Sequence, residues 1–276
     1  MMGMGQWMFR DELQLLEINV PRAALQLART IAYPQLNVAD YMGVLHELSE
    51  EAADYVDIAA PVAEQAEQLA AYLFRRRGFQ GNRHTYADPR NSYLNEVIDR
   101  RLGIPITLSI LYISVAEQLG LPAYGIGLPG HFIVGIRAEG ADRWLDPFHE
   151  GRWLDLADCA DLIRLSSGYA GPIEASWFSP VKGRVILARL LSNLRANYVS
   201  TGAWAQAAEV IQLLRQTQPS EAEHLRDLGL VYYHQHRLPQ AAHYLNAYLQ
   251  RMPDAEDAHV IRDGIKRVLD EWAPMN

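Results

Sequence analysis

The sequence predicts an α+β fold made of a helical N-terminal layer, a central part that mixes one helix with strands, and an all-α tail. Three observations predict it: apolar residues follow helical spacing up to about residue 80, one apolar run precedes several strand-like runs, and the last third of the chain repeats itself. The 276 residues, 49% of them hydrophobic, suffice for two cores. We expect a first domain over 1–180, including a helical subdomain at 1–80, and a second over 181–276.

The N-terminal subdomain carries the spacing of amphipathic helices. After Pro21, apolar residues such as Leu25 and Ala28 recur at three- and four-residue steps. A later helix is predicted to stop at Gly78, with three arginines (75–77) in its last turn, where the helix dipole favours cations. This placement explains the arginine run better than a nucleic-acid-binding patch does.

The middle of the chain combines one helix with a set of strands. Pro105 suits the first turn of a helix, and the residues up to Leu119 are apolar nearly all round, which is typical of a buried central helix. Three strand-like runs follow, separated by glycine-containing turns, at 123–128, 131–137 and 143–148. One buried helix followed by antiparallel strands is an α+β arrangement.

The last third of the chain has a period of 34 residues. Four residues recur at this distance: Leu194, Tyr198, Ala208 and Pro219 return as Leu228, Tyr232, Ala242 and Pro253. This period resembles the tetratricopeptide repeat, a helix–turn–helix unit that stacks on its neighbours. Gly202 fits the turn between the first paired helices. We expect two repeats and a capping helix with apolar residues from Val260 to Trp272, and we expect the repeats to bind a protein or peptide partner.

Composition and charge exclude several classes of function. The net charge of −8 argues against broad binding to nucleic acid or anionic membranes. No apolar stretch is long enough to span a bilayer, and residues 1–16 lack the apolar core of a secretory signal. The single cysteine, Cys159, excludes an internal disulfide and favours a reducing compartment. We expect a cytoplasmic protein without nucleic-acid or membrane partners.

Several ordered motifs run through the first domain. They are Gly78-Phe79-Gln80-Gly81-Asn82, Asp88-Pro89-Arg90-Asn91-Ser92-Tyr93-Leu94, Arg100-Arg101-Leu102-Gly103-Ile104-Pro105, Pro129-Gly130-His131-Phe132 and Leu145-Asp146-Pro147-Phe148. Together with the repeats, they resemble the SirB-type bacterial proteins, in which a transglutaminase-like domain precedes a short tetratricopeptide tail. A related domain occurs in certain F-box proteins. The resemblance extends over about 23–272 and implies a papain/transglutaminase-like domain in the centre of the chain.

The wider transglutaminase-like superfamily implies a papain-like triad of cysteine, histidine and aspartate. His131 matches the histidine and Asp146 the acid, and their 15-residue separation suits neighbouring antiparallel strands. The cysteine position falls within 105–107, where no sulfur occurs. Cys159 follows both partners in a predicted surface helix, so we interpret it as a small, half-buried apolar residue. The site is interpreted as vestigial.

A hydroxyl group is the alternative to the missing thiol. Thr107 is the first candidate and Ser109 the second, with His131 as base and Asp146 orienting the imidazole, which makes Thr107, His131 and Asp146 the candidate catalytic residues. A hydroxyl is a far poorer nucleophile than a thiol. Hydrogen bonding at the helix start, or to a carbonyl one turn back, explains Thr107 and Ser109 without catalysis.

A metal site is a further alternative. His149 lies three residues past Asp146, so His131, Asp146 and His149 contain the donor types of a metal site, although their spacing is a loose pattern. We expect no metal ion and no cofactor. His234 and His236 are predicted to lie on different faces of a repeat helix, exposed to solvent.

Three residues form a candidate binding group at the mouth of the cleft. Asn91, Arg100 and Arg101 have the chemistry to bind an acidic partner or a peptide terminus. Helix ends give a simpler interpretation, in which Asn91 caps a helix start and both arginines lie in that helix's last turn.

The residues and the resemblance lead to three functional hypotheses. The first is a non-catalytic regulatory or adaptor protein that binds a protein or peptide through its repeats and its degenerate cleft. The second is a hydrolase or acyltransferase with a Thr/Ser-His-Asp arrangement, and the third is a scaffold whose repeats self-assemble. An enzyme of the second kind requires a hydroxyl about 2.6–3.2 Å from the His131 ring, whereas a binding protein does not.

Overall fold

The computed structural model describes residues 8–138 and 140–272. Two compact units divide the chain after Leu190, ten residues beyond the boundary expected at 180. The helix that contains this boundary is tied to the first unit by Arg184 and Arg189, which donate hydrogen bonds to backbone carbonyl oxygens of that unit. The predicted α+β class with an all-α tail is confirmed.

A layer of helices opens the first unit. It consists of α1 (Phe9–Glu12), α2 (Val20–Ile31), α3 (Val38–Ala53), α4 (Val62–Ala70) and a π-helical turn (Ala71–Arg76). Asn19 and Asn37 cap α2 and α3, because their side chains accept hydrogen bonds from backbone N–H groups of the first turns. Gly78 follows the π-helical turn with a φ of +77°, which ends the helix where the sequence predicts a stop.

The central helix follows a short parallel pairing of strands. The connecting elements are β1 (Gln80–Gly81), a 3-10 turn (Pro89–Ser92), α5 (Leu94–Arg100) and β2 (Leu102–Gly103), with β1 paired to β2. The central helix α6 (Pro105–Gln118) buries eleven of its fourteen residues. It packs against α3 on one side and against the main sheet on the other. Its apolar residues therefore face neighbours all round, as their distribution predicts.

The main sheet has four antiparallel strands in sequential order. They are β3 (Ala123–Ile126), β4 (Ile133–Arg137), β5 (Asp142–Asp146) and β6 (Arg152–Leu154). The last strand is absent from the prediction, and the predicted continuation of β5 to residue 148 is wrong. There Pro147–His149 forms a 3-10 turn, because the Asp146 side chain accepts a hydrogen bond from the Phe148 N–H and redirects the chain. Helix α7 (Leu156–Ser167) then packs on the sheet.

From residue 183 to residue 272, where the described part of the chain ends, the structure has five α-helices. They are α8 (Gly183–Ser200), α9 (Trp204–Thr217), α10 (Glu223–His234), α11 (Leu238–Arg251) and α12 (Ala258–Trp272). Gly202 and His236 are 34 residues apart, and each lies in the turn between two paired helices. Both have a left-handed backbone conformation, with φ of +70° and +56°. His236 thus lies in a turn and not on a helix. Gly229 allows α10 to approach α11 closely, since a Cβ there would lie 2.7 Å from the Leu245 side chain.

The last helix covers the end of the repeats. Ile261 and Ile265 of α12 belong to a buried cluster with Leu245 and Tyr248 of α11, whereas Val260 is exposed. The predicted apolar side chains at 268–272 lie outside the side chains that the structure describes.

No helix in the described ranges combines the length and the apolar character that crossing a bilayer requires. Part of the segment 1–16, considered above for a secretory signal, lies outside these ranges.

The turn that leads into β4 generates a stability prediction. Gly130 has a φ of +71°, and a Cβ there would lie 2.6 Å from Ser166 Oγ and 2.7 Å from the Ser166 carbonyl carbon. We expect Gly130→Ala to lower the free energy of unfolding by about 2–4 kcal/mol, since left-handed strain and overpacking both oppose it. Urea unfolding followed by circular dichroism measures the change.

The control for this substitution is Gly43→Ala, in the exposed middle of α3. A Cβ at Gly43 meets no atom within 4 Å. The free energy of unfolding should therefore stay level or rise by up to about 1 kcal/mol, because alanine favours helix over glycine. Equal effects of both substitutions would contradict the role assigned to Gly130.

Candidate functional site

Neighbouring strands bring the predicted histidine and aspartate together. His131 lies in the turn before β4, and Asp146 is the last residue of β5, which pairs with β4. His131 Nε2 is 2.9 Å from Asp146 Oδ2. Gly130 shapes this turn, and it lies against the backbone of Ser166, so its missing side chain makes room for another segment of the chain.

A second imidazole converges on the same carboxylate. His149, from the 3-10 turn after β5, places Nδ1 2.7 Å from Asp146 Oδ2. The Phe148 N–H donates to the other oxygen, Oδ1, at 2.9 Å. Asp146 has no exposed surface and His131 is 7% exposed, whereas 36% of the His149 side chain is exposed. The site is a buried carboxylate between two imidazoles, one of them open to solvent.

The charge of Asp146 follows from these hydrogen bonds. Burial alone would raise the pKa of Asp146, but the hydrogen bonds from His131 and His149 outweigh it and hold the pKa well below its ordinary value. An ionised carboxylate only accepts hydrogen bonds, so His131 Nε2 and His149 Nδ1 both carry protons. In a neutral imidazole this leaves His131 Nδ1 and His149 Nε2 as the unprotonated nitrogens.

The surroundings of the two imidazoles are aromatic and cationic. The Phe148 ring meets the His131 and His149 rings edge-on, with centroids 6.2 and 5.2 Å away. Arg189 of α8 donates from Nη2 to the carbonyl oxygens of His131 (2.8 Å) and Leu128 (2.9 Å). It fixes the backbone of the turn that carries His131.

The predicted hydroxyl nucleophiles are engaged elsewhere or isolated. Thr107 Oγ1 accepts a hydrogen bond from the Ile104 N–H (3.0 Å) and lies 2.9 Å from the Asn91 carbonyl oxygen. Ser109 Oγ is buried and has no hydrogen-bond partner in the described part of the chain. Among the described residues, none offers a hydroxyl or thiol hydrogen-bonded to the His131 ring. The structure pairs His131 with Asp146 but does not join Thr107 to them.

Cys159 lies in a hydrophobic core. The thiol has no exposed surface and packs with Ile126, Leu128, Ile133 and Ile163, so the predicted half-buried position is wrong. The error comes from reading α7 as a surface helix, since one face of it covers the sheet. Burial raises the pKa of Cys159 to about 12, which leaves the reactive thiolate scarce at neutral pH.

The predicted binding group is only partly assembled. Asn91 is fully buried and accepts hydrogen bonds at Oδ1 from Asn82 Nδ2 (3.0 Å) and Arg100 Nη2 (3.4 Å). Arg100 lines a cavity of about 490 Å³ beside β1, whereas Asn91 and Arg101 are not among its lining residues. Arg101 is exposed and ends α5 with a φ of +57°.

The cap predicted at Asn91 lies elsewhere. Asp88 caps the 3-10 turn by accepting a hydrogen bond from the Arg90 N–H. Asn91 instead donates from Nδ2 to the Thr85 carbonyl oxygen at 2.8 Å, which ties the loop after β1 to the start of α6 through Thr107. Asn91, with Arg100 as one of its partners, therefore belongs to a buried hydrogen-bond network that supports the central helix, and Arg101 does not.

The second unit contains an apolar groove. Its volume is about 310 Å³, and it is lined by the end of α8 and by residues of α9 and α10 that include Trp204, Leu230 and Val231. His234 stacks on the Trp204 indole, with ring centroids 4.2 Å apart and planes 6° apart. His234 is exposed, as predicted, but its ring also forms one wall of this groove. Arg195 and Asp227, which also line the groove, form an ion pair with each other.

Two residues near His131 and Asp146 are missing from the predicted catalytic and binding residues. Arg189 lies 58 residues after His131, and no spacing pattern connects them. The sequence indicates His149 only as a metal ligand, yet its position three residues after Asp146 could have predicted its contact with that carboxylate. An aspartate followed by proline is typical of a strand end, and in a 3-10 turn the side chain three residues later lies on the same side of the turn as the aspartate side chain.

Two family profiles match the chain, one on either side of a boundary close to Leu190, where the first compact unit ends. A profile of the transglutaminase-like superfamily matches residues 39–192, and a tetratricopeptide-repeat profile matches residues 194–266. The tetratricopeptide prediction is confirmed.

Relatives match most of the chain or about half of it. A UPF0162 protein of Xylella fastidiosa is 35% identical over 242 residues, which is 87% of this chain and 86% of the relative. Human F-box only protein 21 is 32% identical over 151 residues, which covers 52% of this chain but 22% of that protein. A crystal structure of menin that reveals the binding site for the Mixed Lineage Leukemia (MLL) protein aligns with a TM-score of 0.41 at 12% sequence identity. The alignment covers 87% of this chain and 67% of the menin chain.

The buried position of Cys159 generates a reactivity prediction. We expect native protein at pH 8 to react with iodoacetamide at least about a hundredfold more slowly than protein unfolded in guanidinium, since burial suppresses both access and thiolate formation. Intact mass spectrometry over time gives both rates. Rapid modification of the folded chain would contradict the burial of this thiol.

Proposed function

The chain belongs to the transglutaminase-like superfamily, as a UPF0162-type protein with a tetratricopeptide tail, and on that premise we propose that it binds protein partners as a regulatory or adaptor protein. In this proposal the papain-like site performs no covalent catalysis. The tetratricopeptide tail supplies the partner-binding surface, and the protein acts in the cytoplasm, which its single free, buried cysteine supports.

The missing nucleophile is the observation that carries the proposal. A papain-like mechanism needs a thiol or an activated hydroxyl next to the imidazole nitrogen that is not bound to the acid. His131 keeps its acid, Asp146, at 2.9 Å, but no described hydroxyl or thiol forms a hydrogen bond with its ring. Positions 105–107, where the superfamily's cysteine is expected, are occupied by proline, isoleucine and threonine and are buried. Within residues 8–138 and 140–272, the histidine and aspartate therefore have no hydrogen-bonded nucleophile to activate.

The groove of the second unit supports the binding part of the proposal. Tetratricopeptide arrays use such surfaces for extended or helical peptides. Here the floor is apolar, Leu230 is 42% exposed, and the Trp204–His234 stack offers a flat aromatic wall. Because Arg195 and Asp227, the charged residues of the lining, are ion-paired with each other and the rest of the lining is largely apolar, the groove favours a peptide with apolar anchor residues over a strongly charged one.

The alternative, a hydrolase or acyltransferase with Thr107, His131 and Asp146, has less support. It requires the Thr107 hydroxyl to exchange its contacts at the start of α6 for one with the His131 ring. Those contacts hold the Ile104 N–H and the Asn91 carbonyl oxygen, so the exchange would leave buried polar groups unpaired. The experiments below distinguish the two functions.

The groove predicts the effect of one charge substitution. From a displayed library of random peptides, the full chain should select sequences with apolar anchors. We expect Leu230→Glu to weaken the selected peptides at least about tenfold, as a lost anchor pocket does. Fluorescence anisotropy gives the affinities. Val260→Glu, exposed on α12 and outside the groove, is the matched control and should change them less than about twofold.

Two outcomes would overturn this part of the proposal. One is the failure to enrich any peptide. The other is an equal loss for both variants, which would show that the groove is not where the peptides bind.

The absence of covalent catalysis has its own test. We expect the wild-type chain to remain unlabelled by fluorophosphonate and by activated acyl esters at the candidate residues Thr107 and Ser109. Peptide mapping by mass spectrometry locates any adduct. Labelling of either residue that disappears in His131→Ala would establish the hydrolase alternative in place of the proposal.

A further inference from the structure

The three polar side chains at the end of β5 form a compact donor set. His131 Nε2, Asp146 Oδ2 and His149 Nδ1 all lie within 4.8 Å of one another. The carboxylate oxygen is 2.9 Å from the first nitrogen and 2.7 Å from the second. We propose that these three atoms bind a divalent transition-metal ion, with Zn²⁺ as the first candidate. This departs from the expectation of a metal-free protein drawn from the sequence.

The two distances from Asp146 Oδ2 are those of hydrogen bonds, and only small shifts are needed for the same atoms to hold an ion. Zinc lies about 2.0–2.2 Å from imidazole and carboxylate ligands, which places neighbouring ligand atoms roughly 3.0–3.4 Å apart in regular geometries. The His131–Asp146 distance is already near this value, and His149 must withdraw by only a few tenths of an ångström. Because 36% of the His149 side chain is exposed, it has room to make that movement.

The donor types also match. Two imidazoles and one carboxylate are the protein ligands of several zinc sites and of non-haem iron sites, and both types leave positions open for water or another ligand. Thiolate ligands are excluded here, since Cys159 is in the hydrophobic core. Softness therefore favours zinc, cobalt, nickel or iron over calcium and magnesium, which prefer all-oxygen sites.

The charge of the site gives a reason for an ion to bind. Asp146 is fully buried, and within the described residues no lysine or arginine pairs with it. A buried carboxylate needs a cation or a full set of hydrogen bonds to offset the loss of water. Its hydrogen bonds come from His131, His149 and the Phe148 N–H, and a divalent cation at Oδ2 would place a full countercharge next to this buried carboxylate.

Besides the small withdrawal of His149, binding requires a change of tautomer in the two imidazoles. The protons on His131 Nε2 and His149 Nδ1 move to His131 Nδ1 and His149 Nε2, which frees the metal-facing lone pairs without net loss of a proton from a neutral ring. His149 Nε2 then donates to solvent. The two rings lie 6.2 Å apart and within 25° of parallel.

The chain holds the carboxylate in place for this role. The Phe148 N–H fixes Asp146 Oδ1, so Oδ2 remains the oxygen that faces both imidazoles. Glu150 and Gly151, with φ of +58° and +73°, close the turn that returns His149 to the site. The Phe148 ring supplies an apolar neighbour of the kind that strengthens metal–ligand bonds by limiting water.

The proposal is tested by metal binding to the full chain. Protein treated with a chelator and dialysed is titrated with CoCl₂, whose visible absorption reports coordination by protein ligands, and then with ZnCl₂ in competition. We expect one ion per chain and displacement of cobalt by zinc. His149→Ala should weaken binding by at least about tenfold, as loss of a ligand does. Circular dichroism checks that the variant folds.

A matched histidine variant separates the site from the protein surface. His84→Ala removes an exposed histidine of the same unit that lies outside the donor set, and it should leave both the stoichiometry and the affinity unchanged. A second variant, His131→Gln, should lose binding as His149→Ala does. Binding that survives in both His131→Gln and His149→Ala, or that is absent from the wild-type chain, would overturn the proposal. The peptide groove is tested on the other unit, so the two proposals fail separately.

Discussion

The buried carboxylate of Asp146 is the constraint on which the candidate site depends. With no exposed surface, it must receive every hydrogen bond from the chain, and it does so from the Phe148 N–H and the rings of His131 and His149. The first of these bonds ends β5 and starts the 3-10 turn. The second fixes the entry to β4, and the third returns the turn toward the sheet. The carboxylate thus sets the course of the chain as well as the chemistry of the site.

The start of α6 is held by a separate set of buried polar contacts. Thr107 satisfies the Ile104 N–H, and it meets the Asn91 carbonyl oxygen. Asn91 in turn is held by Asn82 and the Thr85 backbone. These groups would be costly if left unpaired in the low-dielectric interior, so the network specifies the position of the central helix. Through these contacts the start of α6 joins two loops to the core.

Features that depend on local pattern were predictable from the sequence. The burial of α6 follows from apolar residues on all its faces, the tail follows from the 34-residue period, and the pairing of His131 with Asp146 follows from the resemblance and from their spacing on adjacent strands. Features that depend on distant segments were not predictable. Arg189 reaches His131 from another helix, and Cys159 is buried because α7 lies on the sheet. The short strands β1, β2 and β6 have two or three residues each, too few for periodicity to register.

The buried start of α6 also determines what a cysteine introduced there would cost. Positions 105–107 are all buried. The last of them, Thr107, accepts a hydrogen bond from the Ile104 N–H and donates one to the Asn91 carbonyl oxygen. A sulfur at Thr107 would forfeit both contacts, and one at Pro105 would remove the ring that presets the first helical turn. A cysteine introduced at either position would therefore cost stability, whatever reactivity it gained.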